Sequence, residues 1–166
     1  MSDIAIEADE IEKALNQLVA RHEVLRSNFG FVDGAAKQKF RSITPLKIED
    51  VTIEDEQNAI NRTIHELGER PFDLEKDALF RACWITLSAQ KHILLLSMPH
   101  IITDGWSITV LAKEIFSLLA ANRAGIELAA PNLQYKDYVA WQLEKLADEE
   151  KQQHHREYWL NKLPPE

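Results

Sequence analysis

The chain has 166 residues, 45% of them apolar and 28% charged, and its 19 basic against 27 acidic side chains give a formal net charge of −8. That length fits one domain at the usual ~100–200 residues, and that composition is a folded globular one, which excludes a disordered tail. The acidic balance argues against a general nucleic-acid binder, although net charge leaves a local basic patch open.

Other classes fall on particular residues. The longest near-continuous apolar runs, 93–96 and 108–112, are far below the ~18–20 residues of a membrane helix. The single cysteine, Cys83, has no internal disulfide partner, and no Cys/His cluster has zinc-ligand spacing. Met1-Ser2-Asp3-Ile4 lacks the basic and apolar regions of a secretion signal. The expectation is a cytoplasmic protein that meets neither nucleic acid nor membrane and binds no metal.

In chain order, the first element predicted is a helix over 8–22, with Ile11, Leu15, Leu18 and Val19 on one face, acids in its first turn and Arg21 at its end. A strand follows over 25–32, closed by an Asp33-Gly34 turn, with its antiparallel partner at 37–42. Pro45 interrupts, and 46–53 reads as a weaker strand. A second helix is expected over 55–69 on Ile60, Ile64 and Leu67, stopped by Gly68 and Pro71. Strands at 79–87 and 93–98 then form a hairpin, and the second, apolar on both faces, reads as a central strand. The third helix spans 105–123, with Ile108, Leu111, Ala112, Ile115, Leu118 and Leu119 inward and Gly125 as its stop. After a loop at 129–133, Tyr135, Tyr138, Val139, Leu143 and Leu146 mark a fourth helix. The charged stretch 148–157 is a fifth, ending in Tyr158-Trp159-Leu160, and Pro164-Pro165 reads as extended linker. Strands joined by both hairpins and crossovers predict an α/β fold, a mixed sheet covered by helices.

One segment stands apart: Ser97-Met98-Pro99-His100-Ile101-Ile102-Thr103-Asp104-Gly105-Trp106-Ser107. An apolar strand ends in a histidine, and four residues later Asp-Gly opens a helix, where unsatisfied N–H donors collect reactive groups. The residues alone leave two readings open. His100 is either a hydrogen-bonded core imidazole or a reactive one, and Asp104, three residues before Ser107, is either an N-cap or a site carboxylate.

The segment resembles the H-H-x-x-x-D-G motif of the condensation domains of nonribosomal peptide synthetases, a motif shared with wider acyltransferases of the chloramphenicol acetyltransferase type. Four other segments narrow the resemblance. Arg21-His22-Glu23-Val24-Leu25-Arg26 is similar to the family's R-H-E-x-L-R, and Pro71-Phe72-Asp73-Leu74 to its P-F-D-L. Leu79-Phe80-Arg81-Ala82 is similar to L-x-R-A, and Tyr135-Lys136-Asp137-Tyr138-Val139-Ala140-Trp141 to Y-x-D-[FY]-A-x-W. They occur in the family's order over about residues 4–162.

The resemblance implies a two-lobed chloramphenicol acetyltransferase-like fold with a tunnel between the lobes, of which residues 1–166 are the N-terminal lobe. The family's first motif and its C-terminal lobe would lie outside this stretch. It implies amide formation between substrates carried as phosphopantetheine thioesters by donor and acceptor peptidyl carrier proteins, with no cofactor bound directly. His100 matches the catalytic histidine, Asp104 an aspartate that holds the loop in shape by a salt bridge, and Gly105 the glycine beside the reacting centre. Gly105, Trp106 and Ser107 would border the pantetheine arm. Further expected partners are the absent lobe or adjoining synthetase domains, and a second copy through an exposed inter-lobe face.

Pro99 stands where the family has its first histidine, and with no N–H it requires a strand end that tolerates a missing ladder bond. That departure keeps a recruitment module that makes no bond as the alternative, beside a stand-alone acyltransferase. The remaining candidates have plainer readings. His154 and His155 are expected on a solvated helix face, His92 as an exposed turn residue, and Cys83 as a small buried hydrophobe. His22 is expected to pack near a helix end, and Tyr138 and Trp141 in the core. Arg26, Arg81 and Asp104 are candidates for a charge network.

Overall fold

A computed structural model describes residues 6–163, the side chains of Glu150 and Lys151 aside, so the Pro164-Pro165 linker lies outside the described residues. The chain divides after Ala130 into two compact units. The first carries α1 (Ala8–Arg21), β1 (Ser27–Val32), β2 (Ala35–Phe40), β3 (Glu49–Thr52), α2 (Gln57–Gly68), β4 (Arg81–Ser88), β5 (Lys91–Ser97) and α3 (Gly105–Ala124). The second carries α4 (Tyr135–Leu146) and α5 (Glu149–Lys162).

The sheet of the first unit has the order β3-β4-β5, with β3 parallel and β5 antiparallel to β4. The two-residue period of β4 explains its layers. Ala82 and Trp84 join a core with α1 (Ile11, Leu15, Leu18) and α3 (Leu111, Ile115, Leu118). Cys83, Ile85 and Leu87 point the other way, to Ile60 and Leu67 of α2. The sheet is therefore helix-covered on both faces, the mixed α/β arrangement expected. Leu15 and Leu18 are fully buried, each contributing about 1.5–3 kcal/mol of apolar transfer.

Two details differ from expectation in the sheet. β4, not β5, is the central strand; β5 lies at the edge and is half-buried along most of its length. Its apolar residues alternate between the two cores, Leu94 and Leu96 to one and Ile93 and Leu95 to the other. Apolar character on both faces thus reports coverage above and below, not a strand on each side. The first strand also starts later, because residues Glu23–Arg26 form one 3-10 turn before β1.

The β1–β2 hairpin closes as its sequence requires. Asp33 and Gly34 both have positive φ, 52° and 77°, the pair of left-handed residues that a two-residue hairpin turn needs. At the other end of the unit, Gly125 stops α3 with φ 68° and donates its N–H back to Asn122 and Ala121. Ile108 and Ala112, expected inward on α3, are exposed, since the buried stripe runs through Leu111, Ile115, Leu118 and Leu119.

In the second unit α4 and α5 are joined by Ala147 and Asp148, and the rings of Tyr135, Tyr138 and Trp141 form a tilted ladder at 5.8 and 5.7 Å. Tyr138 and Trp141 are about half exposed, so the core placement expected of them is corrected. Within its own unit the 12-residue α4 has only α5 to pack against, too little surface to bury a whole apolar stripe.

Candidate active site

β5 ends at Ser97, and the chain then turns sharply before α3. Ile102 donates its N–H to the Pro99 carbonyl at 3.2 Å, so His100 and Ile101 occupy the middle of a four-residue turn. The buried Ile102 side chain anchors that turn in the α1–α3 core, while Ile101 and His100 are exposed. Pro99 lies beyond the last ladder residue, so its missing N–H leaves no sheet hydrogen bond unmade.

The turn hands over to α3 through a strong cap. Asp104 accepts from the Ser107 backbone N–H at 2.8 Å and from the Ser107 hydroxyl at 2.6 Å. Those bonds from Ser107 hold the Asp104 carboxyl below the usual carboxylate range, with a smaller contribution from the charge of His100. Asp104 is thus an N-cap, and its carboxylate is a fixed negative charge beside the imidazole. The His100 ring has no hydrogen-bond partner among the described residues and is free to take an incoming one.

Gly105 is the first residue of α3, and a Cβ built on it meets nothing within 4 Å. The fold does not need glycine there, so the open approach is a property of the site. Trp106 is 78% exposed beside it, and Ser107 is turned toward Asp104. Met98, within the segment, and Ile108, just after it, both line an apolar recess of about 280 Å³ between β5 and α3.

Other candidates are placed as follows. His22 packs at the end of α1, as expected, with Nε2 2.7 Å from Glu114 Oε2. His92 is a correction: it lies within β5, half-buried, stacked on Trp84 at 4.9 Å with Nδ1 3.2 Å from Thr86 Oγ1. His154 and His155 are exposed on α5, and no metal-holding cluster occurs among the described residues. Cys83 is buried, and burial, with the charge of Glu49 adding to it, pushes its thiol up and away from nucleophilic use.

The Arg26, Arg81 and Asp104 network does not form. Arg81 pairs with Asp77 at 2.9 Å and Arg26 approaches Glu23 at 3.5 Å, each taking the carboxylate nearest in sequence, while Asp104 is spent on Ser107. Sequence reasoning missed Glu114. The signal was a lone acid on the mostly apolar helix that opens at the motif.

Comparison with known proteins places this geometry. The family model described as Condensation domain matches residues 2–165. Bacitracin synthase 3 of Bacillus licheniformis is 42% identical over 156 residues, covering 90% of this chain and 2% of that protein. Tyrocidine synthase 3 of Brevibacillus parabrevis is 35% identical over 156 residues, covering 93% of this chain and 2% of that one. The structure of the complex of the X-domain and OxyB from teicoplanin biosynthesis superposes with a TM-score of 0.85 at 28% identity, covering 97% of this chain and 36% of the solved one. The chain therefore spans a small fraction of these synthases and about a third of the solved chain. No helix among the described residues is long and apolar enough to cross a membrane.

Proposed function

The chain belongs to the condensation-domain family of the nonribosomal peptide synthetases, and from that premise we propose that residues 1–166 are the N-terminal lobe of an enzyme that forms amide bonds between carrier-borne thioesters. Donor and acceptor arrive on the phosphopantetheine arms of peptidyl carrier proteins, and the lobe itself binds no cofactor. The observation that carries the reading is the exposed, uncommitted His100 ring on a turn held at both ends, by buried Ile102 on one side and the Asp104–Ser107 cap on the other. The reading places the reaction in the cytoplasm and its second tunnel wall on a C-terminal lobe.

In the reaction the acceptor's α-amine attacks the donor's thioester carbonyl. The C–N bond forms, the C–S bond breaks, and the amine proton ends on the departing thiolate. A thioester is already activated, and an α-amine with a pKa near ~8 is partly free base at neutral pH. General base help is worth ~10²–10⁴-fold, whereas orientation supplies up to ~7–11 kcal/mol. We therefore assign His100 chiefly to positioning the amine by a hydrogen bond, with proton transfer second. Asp104 and Gly105 shape its surroundings: the first fixes the helix start, and the second leaves room for the pantetheine arm. Trp106 and Ser107 border that arm.

The test is a thioester-condensation assay on this chain joined to the second lobe of a relative. His100→Ala is expected to leave a residual rate whose pH dependence is only that of the acceptor amine's own ionisation at pH ~8. Complete loss restored by added imidazole would overturn positioning in favour of base catalysis. Pro99→His is expected to keep or raise the rate.

Pro99 and the likeness to the teicoplanin X-domain, solved with OxyB, favour one second reading, a module that recruits a tailoring enzyme and makes no bond. Carrier or enzyme binding with no condensation in either the parent or Pro99→His would establish it.

A further inference from the structure

A cavity of about 350 Å³ opens between the 3-10 turn, the loop after β2 and the start of β4, and none of its lining residues belongs to the 98–107 segment. Its volume is that of a small-molecule site. Leu25 and Phe80 contribute an apolar floor, and four cations, Arg26, Arg41, Lys47 and Arg81, stand in the wall beside two carboxylates, Glu49 and Asp77.

The walls are fixed without a ligand. Asn16 of α1 takes the Leu46 backbone from both sides, accepting its N–H at 2.7 Å and donating to its carbonyl at 3.0 Å. Glu12 accepts from the Ile48 N–H at 3.1 Å and from Lys47 Nζ at 2.8 Å. The backbone N–H of Arg41 donates to the Arg26 carbonyl at 2.8 Å, and Arg26 Nη1 returns a bond of 2.8 Å to the Arg41 carbonyl. On the far side Arg81 donates to Asp77 and to the carbonyls of Arg70 and Pro71, and its guanidinium lies 3.8 Å over Phe72.

The four cations are not equally spent. Arg81 and Lys47 each have a close carboxylate at 2.9 and 2.8 Å, and Arg26 a more distant one, Glu23 at 3.5 Å. Arg41 forms no salt bridge among the described residues, and its one side-chain bond is 3.4 Å, to the Lys76 carbonyl. Arg26 Nε is buried and has no hydrogen-bond partner among the described residues, a group that costs free energy until an acceptor arrives. Two arginines joined through these main-chain bonds, with side-chain donors to spare over an apolar floor, match an oxyanion carried on a short apolar body.

We propose that this cavity binds a small organic oxyanion, a phosphate monoester or a carboxylate with an apolar tail, held by Arg41 and Arg26. The site is independent of the condensation reading, since none of its residues touches His100 chemistry.

The test is calorimetric titration of the 166-residue chain at low ionic strength with phenyl phosphate, hexanoate, inorganic phosphate and benzyl alcohol. The expected result is saturable binding of phenyl phosphate or hexanoate, whichever head fits, and at least fivefold weaker binding of inorganic phosphate and of benzyl alcohol. Arg41→Gln, an exposed position that leaves the fold intact by circular dichroism, should weaken the best probe at least fivefold. Lys37→Gln, which removes the same charge from the hairpin outside the cavity, should leave it unchanged. No saturable binding of either tailed anion, or equal weakening by both substitutions, overturns the proposal.

Discussion

Glu114 Oε2 lies 2.7 Å from His22 Nε2 and 3.4 Å from Arg21 Nε, joining the last turn of α1 to the middle of α3. Burial alone would raise the Glu114 carboxyl, but the hydrogen bonds from His22 and Arg21 outweigh it and the net displacement is downward. Arg21 also caps the far loop, with Nη1 donating to the carbonyls of Leu128 and Ala129. The Arg21-His22 pair of the Arg-His-Glu segment thus acts on the helix that starts at the His100 segment.

Glu114→Gln removes the charge while keeping the shape, leaving the partly buried Arg21 and His22 with a weaker acceptor. It is expected to cost about 1.5–3 kcal/mol, the range for a hydrogen bond to a charged group. Urea unfolding of the variant beside the parent measures it. A change within about 0.5 kcal/mol would show that Glu114 does not hold the two helices together.

Two α1–α3 links also set the acid limit. Glu10 accepts from Arg123 Nε and Nη2 at 2.7 and 2.6 Å, and those bonds, with the Glu7 N–H, lower its pKa from 4.5 to about 2. A carboxyl lowered on folding contributes stability that is complete above its unfolded value and lost as pH falls through its folded one. The unfolding midpoint should therefore fall as pH drops from about 4.5 toward about 2, from the Glu10 and Glu114 displacements together. A Glu10→Gln, Glu114→Gln double variant should start lower and change less over that range. Parallel pH profiles for parent and variant would refute the assignment.

The elements were legible where a local pattern meets a local cause: the Asp33-Gly34 turn, the Gly125 stop and the Asp104–Ser107 cap each need only a few neighbouring residues. What resisted depends on pairing at a distance. Nothing local in Ile93 to Leu96 says that β5 lies at the sheet edge, because both of its faces are covered regardless. His92 follows the same logic, since its stacking partner Trp84 lies across the hairpin. Arg26 and Arg81 could not be paired from sequence, because each had several acids in reach and the fold chose the nearest.

Cys83 is expected to be inert in the native protein. Its thiol is raised by burial, and its neighbours Ile85 and Leu87 seal it under α2. A thiol-specific disulfide reagent at pH ~8 should react only at the rate of unfolding, and fully once urea has unfolded the chain. Rapid reaction with the folded protein would mean that the β4–α2 layer opens locally. Cys83→Ala should lower stability by about 1 kcal/mol, as the loss of one small buried group does.

Asp104 and Gly105 sit side by side yet should separate stability from chemistry. Asp104→Ala removes the acceptor of both Ser107 bonds, and losing a cap of this kind should lower Tm by about 2–4 °C. Asp104→Asn, which keeps a capping oxygen, should recover most of that. Gly105→Ala adds a methyl where nothing lies within 4 Å, on a helix that prefers alanine, so Tm should hold or rise slightly. In the proposed two-lobe enzyme the same methyl stands on the path assigned to the pantetheine arm. Condensation should fall at least tenfold with the fold unharmed, and the loss should appear for carrier-borne donors more than for short thioester mimics. A Gly105→Ala variant that condenses at the parent rate would remove Gly105 from the site and leave it as an ordinary first residue of α3.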